Sequence, residues 1–359
     1  MRNDRMSGTG FRPDRGFGNI FDIAAHAPAR LPPGHPPVLS VVIDTEEEFD
    51  WTHPFSRDNT GTTSIAAQVL AHERVFDPLG IVPTYVIDWP VATNDTAIAT
   101  LKSLQDAGHC EIGTHLHPWV SPPHVEQVSA HNSYTGNLPP GLELEKLQNL
   151  TNKIAANFGR RPTVFKAGRN GLGTATTDAL GSLGYLVDTS IVPHSSFRAD
   201  GGPDYSRFDN EPFWFGPGET PILELPATTA YCGWLREQAG WLHPALATPL
   251  ARTFRMGAIA SRTGALERIR LSPEGFTAAE MRRVMTSLTV SGNQVFTLTY
   301  HSPSLVPGHT PYVRSQADLD RLLDAIIRTC RFFKNDMGGV FMSSSRIRAV
   351  MLEHHSSFA

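Results

Sequence analysis

From Val38 onward, short apolar runs rich in β-branched residues alternate with longer segments of helical periodicity, and this alternation admits few architectures. "VLSVVID" has the composition of a strand buried on both faces. It is followed by "TSIAAQVLAHERVFDPLG", where Ile65, Val69, Phe76 and Leu79 recur at roughly helical spacing, Thr63 or Ser64 can cap, and Gly80 can end the helix. The unit then repeats through the strand-like "IVPTYVIDW", "HCEIGTH", "PTVFKAG", "YLVDTS", "PILELPAT" and "QVFTLTYHS". Between them lie the helical "DTAIATLKSLQDAG", "ELEKLQNLTNKIAANFG", "ATTDALGSLG" and "TAAEMRRVMTSLTVSG". Crossover helices of this length predict a mainly parallel sheet, either open and doubly wound or closed as a barrel.

Three segments stand outside this rhythm. Residues 1 to about 37 are rich in Gly, Pro and Arg without hydrophobic periodicity and read as an extended or disordered arm, with the folded domain spanning 38–359. A long loop is expected from about Pro193 to Gly218, and a partly helical insertion over about 233–270. The 31 basic and 35 acidic residues leave a net charge of -4, too small to indicate nucleic acid or an anionic membrane as partner. Cys110, Cys232 and Cys330 are few and widely spaced, which argues against a disulfide framework or a Cys-x-x-Cys zinc site. The N-terminal "NIFDIAAHAPA" lacks an uninterrupted apolar core for export, and no run of about 18 apolar residues occurs, so a cytoplasmic location is expected.

The chemistry-bearing residues fall at strand ends. Asp44 and Glu46 follow "VLSVVI", His115 and His117 follow "CEIG", Arg169 follows "VFKAG", Asp188 follows "YLV", and His301 follows "FTLTY". In a parallel barrel all strand C-termini share one face, so residues remote in sequence converge there. The acidic run "DTEEEFDW" also suits a helix N-terminus. Because strand side chains alternate, Asp44 with Glu46 and His115 with His117 share a side wherever strand geometry persists. Carboxylate and imidazole are the ligands of open catalytic zinc sites. His301 could equally be a loop-capping residue; Ser302 and Ser304 lack the GxSxG context of a serine hydrolase, and no glycine pattern suits a nucleotide phosphate. Trp51, Trp119 and Trp214 are candidates for stacking on a sugar.

In order, "VVIDTEEEFDW", "EIGTHLHPW", "FKAGRNGLG" and "FTLTYHSPSL" resemble the first, second, third and fifth motifs of the polysaccharide deacetylase family, which carries the NodB homology domain and is also called carbohydrate esterase family 4. The resemblance runs from about Val38 to Ser345. It implies a distorted (β/α)7 TIM-like barrel and hydrolysis of an acetyl group with one divalent metal, zinc being the expected ion. It also implies Asp44 as base, Glu46, His115 and His117 as ligands, His301 as acid, and Lys166 or Arg169 holding Asp44. Asp188 follows as a substrate contact, joining the stacking candidates Trp51 and Trp119.

The match has departures. One residue separates Asp44 from Glu46 where the family has adjacent aspartates, and His115 and His117 are two apart rather than four, which makes His124 a reserve ligand. Lys166 stands where the family's arginine is expected. A same-fold amidohydrolase acting on a small non-sugar amide, and a non-catalytic glycan-binding protein, are the competing readings. Oligomeric state is not encoded in any of these features.

Overall fold

The computed structural model describes residues 17–49, 53–217, 220–240, 242, 256, 260 and 263–356. Its strands are β1 (Ala27–Pro28), β2 (Val38–Thr45), β3 (Thr84–Ile87), β4 (Glu111–Leu116), β5 (Val164–Ala167), β6 (Val187–Asp188), β7 (Phe213–Phe215), β8 (Ile222–Glu224), β9 (Thr229–Cys232), β10 (Glu267–Arg270), β11 (Val295–His301) and β12 (Val340–Phe341). Ten of them form one sheet in the order β1-β7-β8-β6-β5-β4-β3-β2-β11, with β12 also pairing β2. The run from β8 to β11 in that order is seven strands, every neighbouring pair parallel. The sheet curls so that the chain just beyond β8 meets β11: Thr228 N–H donates to Thr297 O, and Thr297 N–H to Thr228 Oγ1. The result is the distorted (β/α)7 barrel, closed by a few bonds rather than a full ladder.

Alternation along the strands sorts side chains into two apolar layers. Leu39, Val41 and Ile43 of β2 join the layer under the helices, with Phe165 of β5 and Ile112 of β4. Val38, Val42, Val86, Val164, Val187 and Leu223 form the other layer, inside the curl. Ile347, Val350 and Met351 of the C-terminal helix Ser344–Ser356 pack against this inner layer. The helices carry their own stop and start chemistry. Asn94 caps Asp95–Asp106 through Ala97 N–H, Thr277 and Glu280 form a capping box on Ala278–Val290, and Pro140–Phe158 ends at Gly159, whose φ of 72° needs a glycine.

Several expectations change. The arm does not extend to residue 37: from Phe17 on the chain packs on the barrel, with Ile20, Ala29 and Leu31 buried and β1 adding to β7. Apolar side chains spaced irregularly through a Pro-rich stretch bury as well as periodic ones, but leave no pattern to read. Residues 1–16 lie outside the described residues. The loop expected over 193–218 contains β7, whose Phe213, Trp214 and Phe215 are all buried, so Trp214 is core and not a sugar platform. The insertion leaves and returns through an antiparallel hairpin of β9 and β10; most of its interior lies outside the described residues. Among the described residues no helix is long and apolar enough to cross a membrane.

Candidate active site

Inner-face parity decides which polar residues meet. Asp44 pairs with Val86 across to β3 and with His301 across to β11, while His115 pairs with Lys166 across to β5. All are inward positions at strand C-terminal ends, and Glu46 and His117 continue the same faces just past their strands. Glu46 Oε2 lies 3.4 Å from His115 Nε2 and 3.5 Å from His117 Nε2, and the two rings are 4.5 Å apart between centroids.

These three groups can hold a metal ion, their donor atoms lying within 4.8 Å of one another. Each imidazole is fixed from behind. His115 Nδ1 donates to Lys166 O at 3.0 Å, and His117 Nδ1 to Glu47 Oε2 at 2.7 Å, which leaves both Nε2 lone pairs facing Glu46. Burial lowers the His117 pKa, favouring the neutral ring a metal needs. Burial also pushes Glu46 up, yet the opposing charge of His301 above all outweighs it and its carboxylate is held below its ordinary value. Gly168 makes room: a Cβ there would lie 2.5 Å from His117 Cδ2.

Glu47 and Asp88 were not anticipated. Glu47 accepts from Trp119 Nε1 at 2.8 Å as well as from His117, and its own N–H donates to Asp88 Oδ2 at 2.6 Å. Burial pushes Glu47 up to about 7, and burial together with the neighbouring Glu47 raises Asp88 well above the carboxylate range. The signal for Glu47 sat in the acidic run, hidden by its fit to a helix start. Glu47→Gln is expected to weaken divalent-cation binding by about 10–100-fold, the usual cost of removing a group behind a ligating histidine; a metal titration by calorimetry reads it.

On the other side of Glu46, Lys166 Nζ lies 2.6 and 2.7 Å from the two oxygens of Asp44. Burial raises the Asp44 carboxyl, but the Lys166 ammonium, with His115 and His301, holds it down at about 2. His301 Nε2 is 3.7 Å from Asp44 Oδ2, and its Nδ1 bonds Glu274 Oε2 at 2.7 Å. Burial disfavours the His301 cation, yet Glu274, Glu46 and Asp44 outweigh it and raise the pKa to about 10. Glu274 also takes the His301 N–H and the Ser304 hydroxyl, and it too was missed, since a glutamate in the "SPEGF" loop carries no periodic or motif signal. The raised value means the His301 cation stabilises the fold fully below about 6.5 and loses that contribution as pH rises through about 10. Glu274→Gln is expected to move the alkaline limb of any His301-dependent rate down by about one pH unit or more; pH–rate profiles of the two proteins test the difference.

The remaining candidates separate. Arg169, at φ 54°, does not reach Asp44: its guanidinium sits 4.1 Å over the Tyr134 ring and donates to Ser133 Oγ, because the chain has turned left-handed beyond β5. Lys166, still within the strand, makes the contact. Asp188 registers with Phe165, an outward position, and points away from the site; it is buried against Glu224 and takes the Ser190 hydroxyl. Burial raises it to about 6 and Glu224, beside it, further. His124 is exposed and outside the donor cluster. Trp119 is 3% exposed, with its ring stacked on His117 at 4.3 Å and lying 4.6 Å from Phe55, so it braces His117 as it walls the site. Trp51 lies outside the described residues.

Above these groups opens a cavity of about 470 Å³, walled by Phe55, Trp119, Tyr134, Arg169, Arg270 and Tyr312. Its size is that of a small-ligand pocket.

No family model matches the chain. No curated protein matches it either. Solved structures do. A provisionally named polysaccharide deacetylase from Mycobacterium smegmatis is 18% identical with a TM-score of 0.53, covering 91% of this chain and 94% of its own. The Puue allantoinase is 14% identical with a TM-score of 0.55, covering 92% and 95%. At these identities the likeness is one of fold.

Proposed function

We propose that this protein is a metal-dependent hydrolase that removes an acetyl group from an N-acetylated sugar or glycan precursor, working in the cytoplasm. One observation carries the reading: an ionised Asp44 held by Lys166 and a cationic His301 held by Glu274 flank a Glu46–His115–His117 donor set at the mouth of one cavity. Two titratable groups driven apart in pKa beside a ligand cluster are what amide hydrolysis needs. The mixed imidazole and carboxylate donors suit zinc. When bound, a divalent ion supplies Lewis acidity towards an acyl oxygen and towards water.

The chain's own groups supply the rest. Asp44 receives a proton from the attacking water on a carboxylate oxygen, and Lys166 keeps that oxygen ionised until then. His301 delivers a proton from Nε2 to the departing amine, while Glu274 on Nδ1 keeps the ring charged and oriented. Trp119 and Phe55 line the approach and exclude water from one side.

A same-fold hydrolase of a small non-sugar amide is the second reading, favoured by the cavity's modest volume and by the likeness to an allantoinase. Purified protein with its metal content measured is assayed for acetate release from N-acetylglucosamine and its oligomers, and in parallel for ring opening of allantoin and simple cyclic imides. Acetate release supports the first reading; cyclic-amide hydrolysis alone transfers the assignment to the second. Sugar binding with neither activity and no metal leaves a glycan-binding protein and overturns both.

A further inference from the structure

A second group of metal-capable donors lies at the opposite end of the barrel. His72 and Asp77 belong to the helical segment before β3, and His109 precedes β4 by two residues, so all three sit at strand N-termini. By strand rise His109 is roughly 20 Å from His115 along β4. His72 Nδ1 lies 3.1 Å and His109 Nδ1 2.9 Å from the same oxygen, Asp77 Oδ1. The catalytic triad of donors shows nearly the same arrangement, two imidazole nitrogens 3.4 and 3.5 Å from one carboxylate oxygen. Zinc bonded at about 2.0–2.1 Å to tetrahedral donors separates them by roughly 3.3 Å, and the carboxylate-to-imidazole distances of both sets lie within a few tenths of an ångström of that spacing.

The backbone is adapted to this meeting. Residues His72–Phe76 form a π-helical turn, closed by Asp77 N–H on His72 O. In an α-helix at 3.6 residues per turn, positions five apart lie about 140° from each other around the axis. The wider turn instead brings His72 and Asp77 to one face, at the cost of the preferred helical geometry. His72 is 2% exposed, whereas the His109 and Asp77 side chains are 44% and 39% exposed, which leaves an open side for solvent ligands.

We propose that His72, Asp77 and His109 form a second divalent-cation site, for Zn²⁺ or a similar first-row dication, that ties the π-turn segment to the entry of β4. It is independent of the catalytic assignment, being remote from the cavity.

Zn²⁺ stoichiometry decides it, measured by elemental analysis after equilibration against a weak chelator, which strips loosely held metal from the other surface histidines. Native protein is expected to retain two equivalents, His109→Ala one, His115→Ala one and the double variant none. In the His115→Ala background, added Zn²⁺ raises the melting temperature, and adding His109→Ala or Asp77→Asn removes that rise. His109 and Asp77 are both substantially exposed, so these variants remain foldable. Zinc retention and thermal response unchanged by either substitution overturn the proposal. A single native equivalent that is lost with His115→Ala overturns it as well. A single equivalent lost with His109→Ala supports it and counts against the catalytic donor set instead.

Discussion

Replacing Asp44 with asparagine is expected to lower the proposed acetate release by about 10²–10⁴-fold, the range associated with a positioned acid or base, and to leave divalent-cation binding in place. Asp44 is not within the Glu46–His115–His117 donor set, so proton transfer and metal binding separate in this variant. Stability changes too. The Lys166–Asp44 pair is buried, with side chains 4% and 10% exposed, and breaking such a pair typically costs about 3–5 kcal/mol where an exposed pair is worth about 0–1. Asparagine keeps an oxygen for Lys166 Nζ but not the charge, so melting temperature is measured beside the rate. His301→Asn is the companion: its side chain is 22% exposed and its neighbour Glu274 retains Ser304 as a donor, so it should lose a comparable factor in rate with less loss of stability. Near-native rates in both folded variants remove the roles assigned to Asp44 and His301.

His115→Ala is expected to have the other large effect, loss of divalent-cation binding at the proposed Glu46–His115–His117 set. Removing one of three protein ligands should weaken binding by more than the about 10–100-fold attached to a group behind a ligand, and acetate release falls with it. Equilibrium dialysis against Zn²⁺ reads affinity, and excess metal restores little activity because the imidazole that fixed the geometry is gone. A His115→Ala protein with unchanged affinity at the catalytic position shows that Glu46 and His117 do not bind with it. The two substitutions thus divide the site: Asp44 changes rate with metal retained, His115 changes metal retention first.

Strand ends and their polar residues were legible because two regularities are local. Buried parallel strands read as short β-branched runs, and period-two alternation puts Asp44 with Glu46 and His115 with His117. The same alternation places Asp188 opposite to Lys166, since Asp188 registers with Phe165 one residue earlier. That one-residue offset in β5–β6 register is invisible in a single chain, and it is why Asp188 leaves the site. Arg169 leaves it for a related reason: whether a residue after β5 continues the strand or turns left-handed depends on what packs there. Glu47, Asp88 and Glu274 were missed because they act by touching another residue, at sequence separations of 70, 41 and 27 in the contacts that matter.

Sequence alone therefore determined the parallel α/β class, the face on which polar residues collect, and the residue types available for metal and proton chemistry. Those follow from periodicities that a linear chain already carries. Only the tertiary structure decided which imidazole nitrogens face Glu46, which cation holds Asp44, and which carboxylate charges His301. Such choices depend on register and on loop geometry between strands, and they are settled by packing among residues far apart in the chain.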